Sequence, residues 1–224
     1  MARIIILAAG EATRWQNHTG MPKHLVDVGG EPLLHRTIRQ FSEHGEIIIT
    51  APVGDDRYNI SGTEIYHPEK AEHLQDAKKL LDNSHLWSES SKTIVLWGDC
   101  FFSNKAVKRI ATHKPSQWAM YGRFGRSSIT GCEYGELFAM AFQPNMRHKI
   151  EISLHTIAIL KKYKIIGRCG GWELYRHLSN ATDLERHARY RNFVEINDTT
   201  EDFDFPHDYD RWVERVLNKN KHMD

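Results

Sequence analysis

The chain has 224 residues, with 30 Lys and Arg against 29 Asp and Glu, and 40% of it is hydrophobic. That length and apolar content suit one α/β domain with an ordinary packed core, and the near-zero net charge of +1 leaves no global footprint of nucleic-acid binding. Three widely spaced cysteines, Cys100, Cys132 and Cys169, form no C-x-x-C pair, which excludes a disulfide framework and a thiolate zinc site and points to a reducing, cytoplasmic setting.

The first element expected is a strand over Arg3–Ala8, a continuous β-branched run of the kind buried on both faces of a parallel sheet. The run is too short for a secretion signal or a bilayer span, so no membrane association is expected. Glu31-Pro32 opens a helix carried by Leu34, Ile38 and Phe41 and stopped by Gly45. A second strand follows at Glu46–Ala51, completing a βαβ unit. Leu74–Leu81 reads as a helix, Thr93–Trp97 as a third buried strand ending in Gly98-Asp99, and Trp118–Gly122 and Tyr134–Phe142 as further strands. Met146–Lys164 and Trp172–Leu178 read as helices, Arg191–Ile196 as a late strand, and Tyr209–Asn218 as a closing amphipathic helix. Strands alternating with helices give an α/β sheet between helical layers, where ligands bind outside the carboxyl ends of the strands.

Two features stand at such strand ends. After the first strand, Ala8, Ala9 and Gly10 are small enough to let a phosphate reach the main chain, and Arg14 and Lys23 supply a guanidinium fork and a compact ammonium. The loop has neither G-x-G-x-x-G nor G-x-x-x-x-G-K-[ST], so it is neither a dinucleotide fingerprint nor a P-loop. The reading is a loop that holds a nucleotide triphosphate. After the third strand, Asp99 beside such a loop makes sense as a ligand for Mg²⁺, which takes one or two carboxylates plus phosphate oxygens.

The stretches "ILAAGEATRW" and "PKHLVDVGGEPLLHRTI" resemble the N-terminal signature of the GT-A-like nucleotidyltransferases, L-A-A-G-x-G-x-R, then P-K, then a G-x-P-L-L helix start. These enzymes make nucleotide sugars, CDP-alcohols and the guanylylated molybdenum cofactor; the nearest flavour is the sugar-phosphate or phosphocholine cytidylyltransferases. The match runs through Leu7, Ala8, Ala9, Gly10, Arg14, Pro22, Lys23, Gly30, Pro32, Leu33 and Leu34, and departs at Ala12, where the family has its second glycine. The resemblance implies a three-layer α/β/α sandwich with a mostly parallel mixed sheet, Rossmann-like, as one domain over 1–224 with a nucleotide-binding half to about residue 115 and an acceptor-binding half after it. It also implies that Leu7 to Gly10, Ala12, Arg14 and Lys23 bind the nucleotide, with Arg14 and Lys23 catalytic, and that Asp99 binds metal. The closing "EINDTTEDFDF" resembles the family's late strand and turn. Asp198 is taken there as the second metal carboxylate, with Asp202 and Asp204 as rivals and as acids of a helix start otherwise.

Other assignments rest on less. Gln75 or Asp76 is expected to read a base edge and Lys78 or Lys79 to reach a phosphate, against the alternative of a plain amphipathic helix. Glu136, Glu173 and Trp172, with Tyr175, lie in glycine-rich stretches suited to an acceptor, against core packing for the two aromatic residues; His24 beside Lys23 is read as structural. The inferred reaction is attack of an acceptor phosphate, already a dianion near neutrality, on the α-phosphorus of a nucleoside triphosphate, CTP favoured, with release of pyrophosphate. The partners expected are thus that nucleotide and a phosphorylated small molecule such as a sugar-1-phosphate or phosphoalcohol, with Mg²⁺; a homodimer is allowed. Two competing readings are a non-catalytic nucleotide-binding module and a GT-A glycosyltransferase, the latter requiring a D-x-D found here only as "DFD" and "DYD" near the C-terminus.

Overall fold

The isoleucine run near the N-terminus becomes the centre of a sheet. The structure, a computed structural model, describes residues 1–10, 13–68 and 76–221, with Asp76, Asn220 and Lys221 as backbone only. Strand β1 (Ala2–Leu7) runs parallel to β2 (Gly45–Thr50), and Ile5 stands opposite Ile48. The short β3 (Glu64–Tyr66) extends that edge, and β4 (Thr93–Trp97) flanks β1 on its other side with Val95 opposite Ile5. A two-residue strand β5 (Cys100–Phe101) leaves the sheet, and β6 (Trp118–Arg123), β7 (Glu136–Phe142) and β8 (Phe193–Glu195) complete it in the order β3-β2-β1-β4-β7-β6-β8. Only β7 runs antiparallel to its neighbours β4 and β6, so the sheet is mixed and mostly parallel.

The pleat sends successive side chains to opposite faces, and the helices follow. Ile4 and Ile6 pack with Leu34, Ile38 and Phe41 of α1 (Leu33–Phe41) and with Ala106, Val107 and Ile110 of a helix at Asn104–Thr112. Ile5 and Ile48 face Leu80 of α2 (Asp76–Asp82), which makes the Asn104–Thr112 helix α3. The same face takes Ile150, Leu154 and Ile157 of α4 (Arg147–Lys162) and Leu174, Tyr175 and Leu178 of α5 (Gly171–Leu178). Two helical layers thus enclose the sheet, the three-layer arrangement expected. Each fully buried Ile or Leu contributes about 1.5–3 kcal/mol of transfer free energy.

A third apolar cluster, Trp15, Val26, Val28, Leu33, Phe101, Phe203, Trp212 and Val216, ties the N-terminal loop to α6 (Pro206–Trp212). That closing helix starts earlier than Tyr209 because Pro206 occupies its first turn and Asp208 accepts from the Phe205 amide at 3.0 Å. A π turn, Val213–Leu217, prolongs it. Strands expected from Tyr134 and Arg191 begin instead at Glu136 and Phe193, and the helix expected over Met146–Lys164 spans Arg147–Lys162. Among the described residues no helix is long and apolar enough to cross a membrane.

Gly98 shows how tightly the strand ends are packed where β1 and β4 stop. Its amide donates to the Leu7 carbonyl at 3.0 Å, and a Cβ added there would lie 2.5 Å from that oxygen and 3.2 Å from the Ala8 Cβ. Backbone cannot yield as a flexible side chain can, so Gly98→Ala is expected to cost about 1–3 kcal/mol. The urea midpoint reads this directly, and an unchanged midpoint would contradict the close approach.

Candidate active site

Lys23 is the group around which the site is built. It sits in a short 3₁₀ turn, Lys23–Leu25, which Pro22 opens by offering its carbonyl to the Leu25 amide at 2.8 Å. The preceding loop is pinned by Trp15, only 1% exposed, whose indole Nε1 donates to the Met21 carbonyl at 2.8 Å. So fixed, Lys23 is itself only 8% exposed and forms an ion pair with Asp99, with a second contact to Asp204 Oδ1 at 3.4 Å. Arg14 grips the same Asp204 with both arms, Nη1 to Oδ2 at 2.6 Å and Nη2 to Oδ1 at 2.8 Å, and lies over the Phe205 ring.

The carboxylates come together through a small ladder. β9 (Glu201–Asp202) pairs antiparallel with β5, setting Cys100 opposite Asp202, and the Phe203 amide donates to the Asp99 carbonyl at 3.1 Å. In this extended stretch Phe203 is fully buried, while Asp202 and Asp204, two residues apart, point the other way toward Lys23. One ligand atom each from Asp99, Cys100 and Asp202 lie within 4.8 Å of one another. The carboxylate grouped with Asp99 is thus Asp202, the rival of Asp198 in the sequence reading, and Asp198 lies outside that group. Asp198 accepts from the Ser103 hydroxyl at 2.6 Å and the Thr200 amide at 2.8 Å, and Ser103 in turn caps α3 through the Ala106 amide. Asp198 thus braces the residue that caps α3.

Charge in this cluster is unbalanced. Asp99, Asp202 and Asp204 share Lys23, Arg14 pairs with Asp204, and Glu136 adds a fourth carboxylate that feels Asp204. Burial alone would lower the Lys23 pKa, but attraction from Asp99, Asp202 and Asp204 overcomes it and holds the ammonium well above its ordinary value. Burial pulls Asp99 up and Lys23 pulls it down further, to about 2. Asp202 is pushed well above its usual range by burial and by repulsion from Asp99 and Asp204. Glu136 is pushed up to about 7 by burial and then by Asp204. The surplus negative charge can be neutralised by protons or by a divalent cation, and two hard carboxylates suit the latter. Cys100 adds a neutral thiol, because burial and Asp202 raise its pKa well above the ordinary value.

The Glu136 shift has a measurable sign. A carboxyl whose folded pKa stands above its unfolded value of 4.5 stabilises the fold below 4.5 and loses that contribution as pH rises through about 7. Stability of the metal-free protein should thus fall across that window, and Glu136→Gln should make the fall shallower, leaving the parts due to the other raised carboxyls, Asp202, Glu201 and Asp208. An identical slope in the variant would contradict the placement of Glu136.

The other expected site residues divide. Leu7 packs partly into the core, and Ala8 is buried with its amide committed to the Thr50 carbonyl at 2.9 Å, so of the small residues Ala9 and Gly10 are the ones left half-exposed at the strand end. Lys79 of α2 reaches this loop, its Nζ lying 3.4 Å from where a Gly10 Cβ would stand. Ala12 and Gln75 lie outside the described residues, and Asp76 is described as the first residue of α2. His24 is structural: its ring faces the Tyr58 hydroxyl at 3.1 Å, and burial holds its pKa down at about 4.

On the acceptor side only Glu136 joins the cluster, and the Cys132 thiol donates to it at 3.4 Å. Glu173 instead caps α5, accepting from the Gly170 amide at 2.8 Å, and pairs with Arg176 at 3.0 Å inside the protein. Trp172 stacks on Phe193 at 5.7 Å and meets Phe124, Tyr175 and His187 edge-on, while Tyr175 has no exposed surface. Tyr175 belongs to the core, and Trp172 packs against it half-buried.

Known proteins share this fold. A solved structure of the CTP:phosphocholine cytidylyltransferase LicC from Streptococcus pneumoniae superposes with a TM-score of 0.64 at 16% identity, covering 96% of this chain and 99% of that one. The Rv0371C protein of Mycobacterium tuberculosis, solved in complex with manganese, gives a TM-score of 0.60 at 15% identity, with 96% and 99% covered. Both likenesses are of fold. In sequence, the chain is 35% identical over 101 residues to the bifunctional protein GlmU of Chromobacterium violaceum, a stretch that is 43% of this chain and 22% of that much longer protein. Residues 4–128, more than half the chain and including Arg14, Lys23 and Asp99, match the MobA-like NTP transferase domain, and the chain belongs to that nucleotidyltransferase family.

Proposed function

We propose that the chain transfers a nucleoside monophosphate from a nucleoside triphosphate, CTP favoured, to a phosphorylated small molecule such as a sugar-1-phosphate or phosphoalcohol, releasing pyrophosphate. The observation that carries this reading is Lys23, buried at the carboxyl end of the sheet between Asp99 and Asp204, with Arg14 on the far side of Asp204. Held there, the two cations exchange carboxylate oxygens for phosphate oxygens when a triphosphate enters, and their charge then meets the negative charge that develops on the transferring group. Ala9 and Gly10 let the triphosphate approach the backbone, and Lys79 stands beside them. Asp99 and Asp202 would hold Mg²⁺, which when bound neutralises triphosphate oxygens and polarises the reacting phosphoryl group. The acceptor phosphate is its own nucleophile, so no general base is required.

CTP is favoured as the donor because it is the nucleotide named for the S. pneumoniae relative, and Glu136 is assigned to the acceptor. The test is pyrophosphate release from each of the four nucleoside triphosphates with a panel of sugar-1-phosphates and phosphoalcohols, with Mg²⁺ and with chelator. Release with one base, abolished by chelator, supports the reading. Tight nucleotide binding with no release from any base would replace it with a nucleotide-sensing module.

A further inference from the structure

A second concentration of positive charge lies away from Lys23. Arg126, from the loop after β6, and Arg211 and Arg215, four residues apart on the closing helical run, line one polar recess of about 580 Å³. Most arginines of this chain that make ion pairs hold a carboxylate closely: Arg39 holds Glu31 at 2.7 Å, Arg57 holds Asp55 at 2.6 Å and Arg176 holds Glu173 at 3.0 Å. None of the three recess arginines has a carboxylate within ion-pair distance among the described residues. All three are exposed.

Their positions are nonetheless built. Arg211 Nη1 donates to the Thr130 carbonyl at 2.6 Å, and Arg215 Nη1 donates to those of Ser128 and Ile129 at 3.0 and 2.9 Å. One nitrogen of each fork thus orients the guanidinium over the loop. Gly131, with φ of +76°, brings the backbone so near that a Cβ there would stand 3.5 Å from Arg211 Nη1. Below, the Ser127 and Thr130 hydroxyls both donate to the buried Glu201 carboxylate, which also pairs with Arg123 at 3.3 Å, so the loop is held at its base. Arg126 makes no such bond among the described residues and lines the recess with the other two.

Two oriented guanidiniums and a third beside them, none with a carboxylate at ion-pair distance among the described residues, around a polar recess of small-molecule size, suit the oxygens of a phosphate group, which accept bidentate pairs from such forks. The volume and the balanced net charge favour a small anion over a nucleic-acid strand. We propose that this recess is a second anion site, separate from Lys23, that binds a small phosphorylated ligand through a phosphomonoester or diphosphate group. Its loop is anchored through Ser127 and Thr130 on Glu201, the residue of β9 next to Asp202.

The experiment is calorimetric titration of inorganic phosphate and of pyrophosphate, without divalent metal, into wild type, Lys23→Ala, Arg126→Ala and Arg126→Glu. Wild type should show two classes of site, one lost in Lys23→Ala and retained in both Arg126 variants. The other should survive Lys23→Ala and weaken about tenfold or more in Arg126→Glu, with a smaller loss in Arg126→Ala. Among the described residues nothing bonds the Arg126 side chain, so both of its variants should keep the wild-type melting temperature. Tighter binding of pyrophosphate than of phosphate at this class assigns it to a diphosphate group, and the reverse to a phosphomonoester. A single class that vanishes in Lys23→Ala, or isotherms in the Arg126 variants that match wild type, would overturn the proposal. The titration involves no turnover, so a failure of nucleotidyl transfer would leave its outcome standing on its own.

Discussion

Lys23→Met is expected to lower kcat for pyrophosphate release by about a hundredfold to a thousandfold, the scale for removing one preorganised charge aimed at a transition state. Methionine keeps the buried stem, so the loss would be electrostatic and not one of packing. The substitution also strands Asp99, whose carboxylate is held near a pKa of about 2 by that ammonium. Leaving a buried partner unpaired costs on the order of 3 kcal/mol at neutral pH, and the Asp99 carboxyl should then titrate far higher. The two effects separate by experiment. Saturating Mg²⁺ restores a positive charge beside Asp99 and should return most of the stability, while kcat stays low because the phosphate has lost its donor. If Mg²⁺ returned the rate as well, Lys23 would be a structural counter-ion only.

The second large effect sets two aspartates apart. Asp202→Asn should leave the metal-free protein as stable as wild type or more so, because the wild-type carboxyl already stands well above its usual range, repelled by Asp99 and Asp204. The same variant should lose at least about a hundredfold in metal-dependent turnover. Asp198→Asn should do the opposite. It weakens the bonds to Ser103 and Thr200 at the start of α3, costing about 1 kcal/mol, and should leave kcat within a few-fold of wild type. Denaturant midpoints and pyrophosphate release on both variants decide the matter; loss of turnover in Asp198→Asn without a stability change would reinstate Asp198 as the metal carboxylate.

That pair shows where the sequence could be read and where it could not. "TIVLWGD" is legible because a buried parallel strand is a continuous apolar run, and Asp99 follows its end without any long-range information. The loop from Ala8 to Lys23 is legible for the same reason, being placed by the end of β1. Asp202 is brought beside Asp99 by a ladder of two residues per strand joining positions a hundred apart, too short to leave a pattern of its own. A fainter signal was present: in "EDFDF" the acids at Asp202 and Asp204 alternate with Phe203, the period of an extended strand rather than of an acidic helix start. Helix α3 likewise carries its marks in the sequence, with Ser103 as cap and Ala106, Val107 and Ile110 at helical spacing, a helix absent from the elements expected above.

The acceptor side misled for a local reason. "CGGWEL" resembles a loop of small residues beside a carboxylate, but Gly170 to Glu173 is the capped start of α5. Gly171 is there because a Cβ would meet Leu137 at 2.8 Å and Trp97 at 3.2 Å. Glycine for close packing and glycine for ligand approach look alike until the neighbours are known.

The central claim is that Lys23, Asp99 and Asp202 form one site for a nucleotide triphosphate and its metal. It is tested most directly by a crystal structure with Mn²⁺ and a non-hydrolysable CTP analogue, the ion located by its anomalous signal. The account predicts the manganese peak between the carboxylates of Asp99 and Asp202, with the triphosphate on Lys23 and Arg14. A peak at Asp198, or a triphosphate bound away from Lys23, would contradict it.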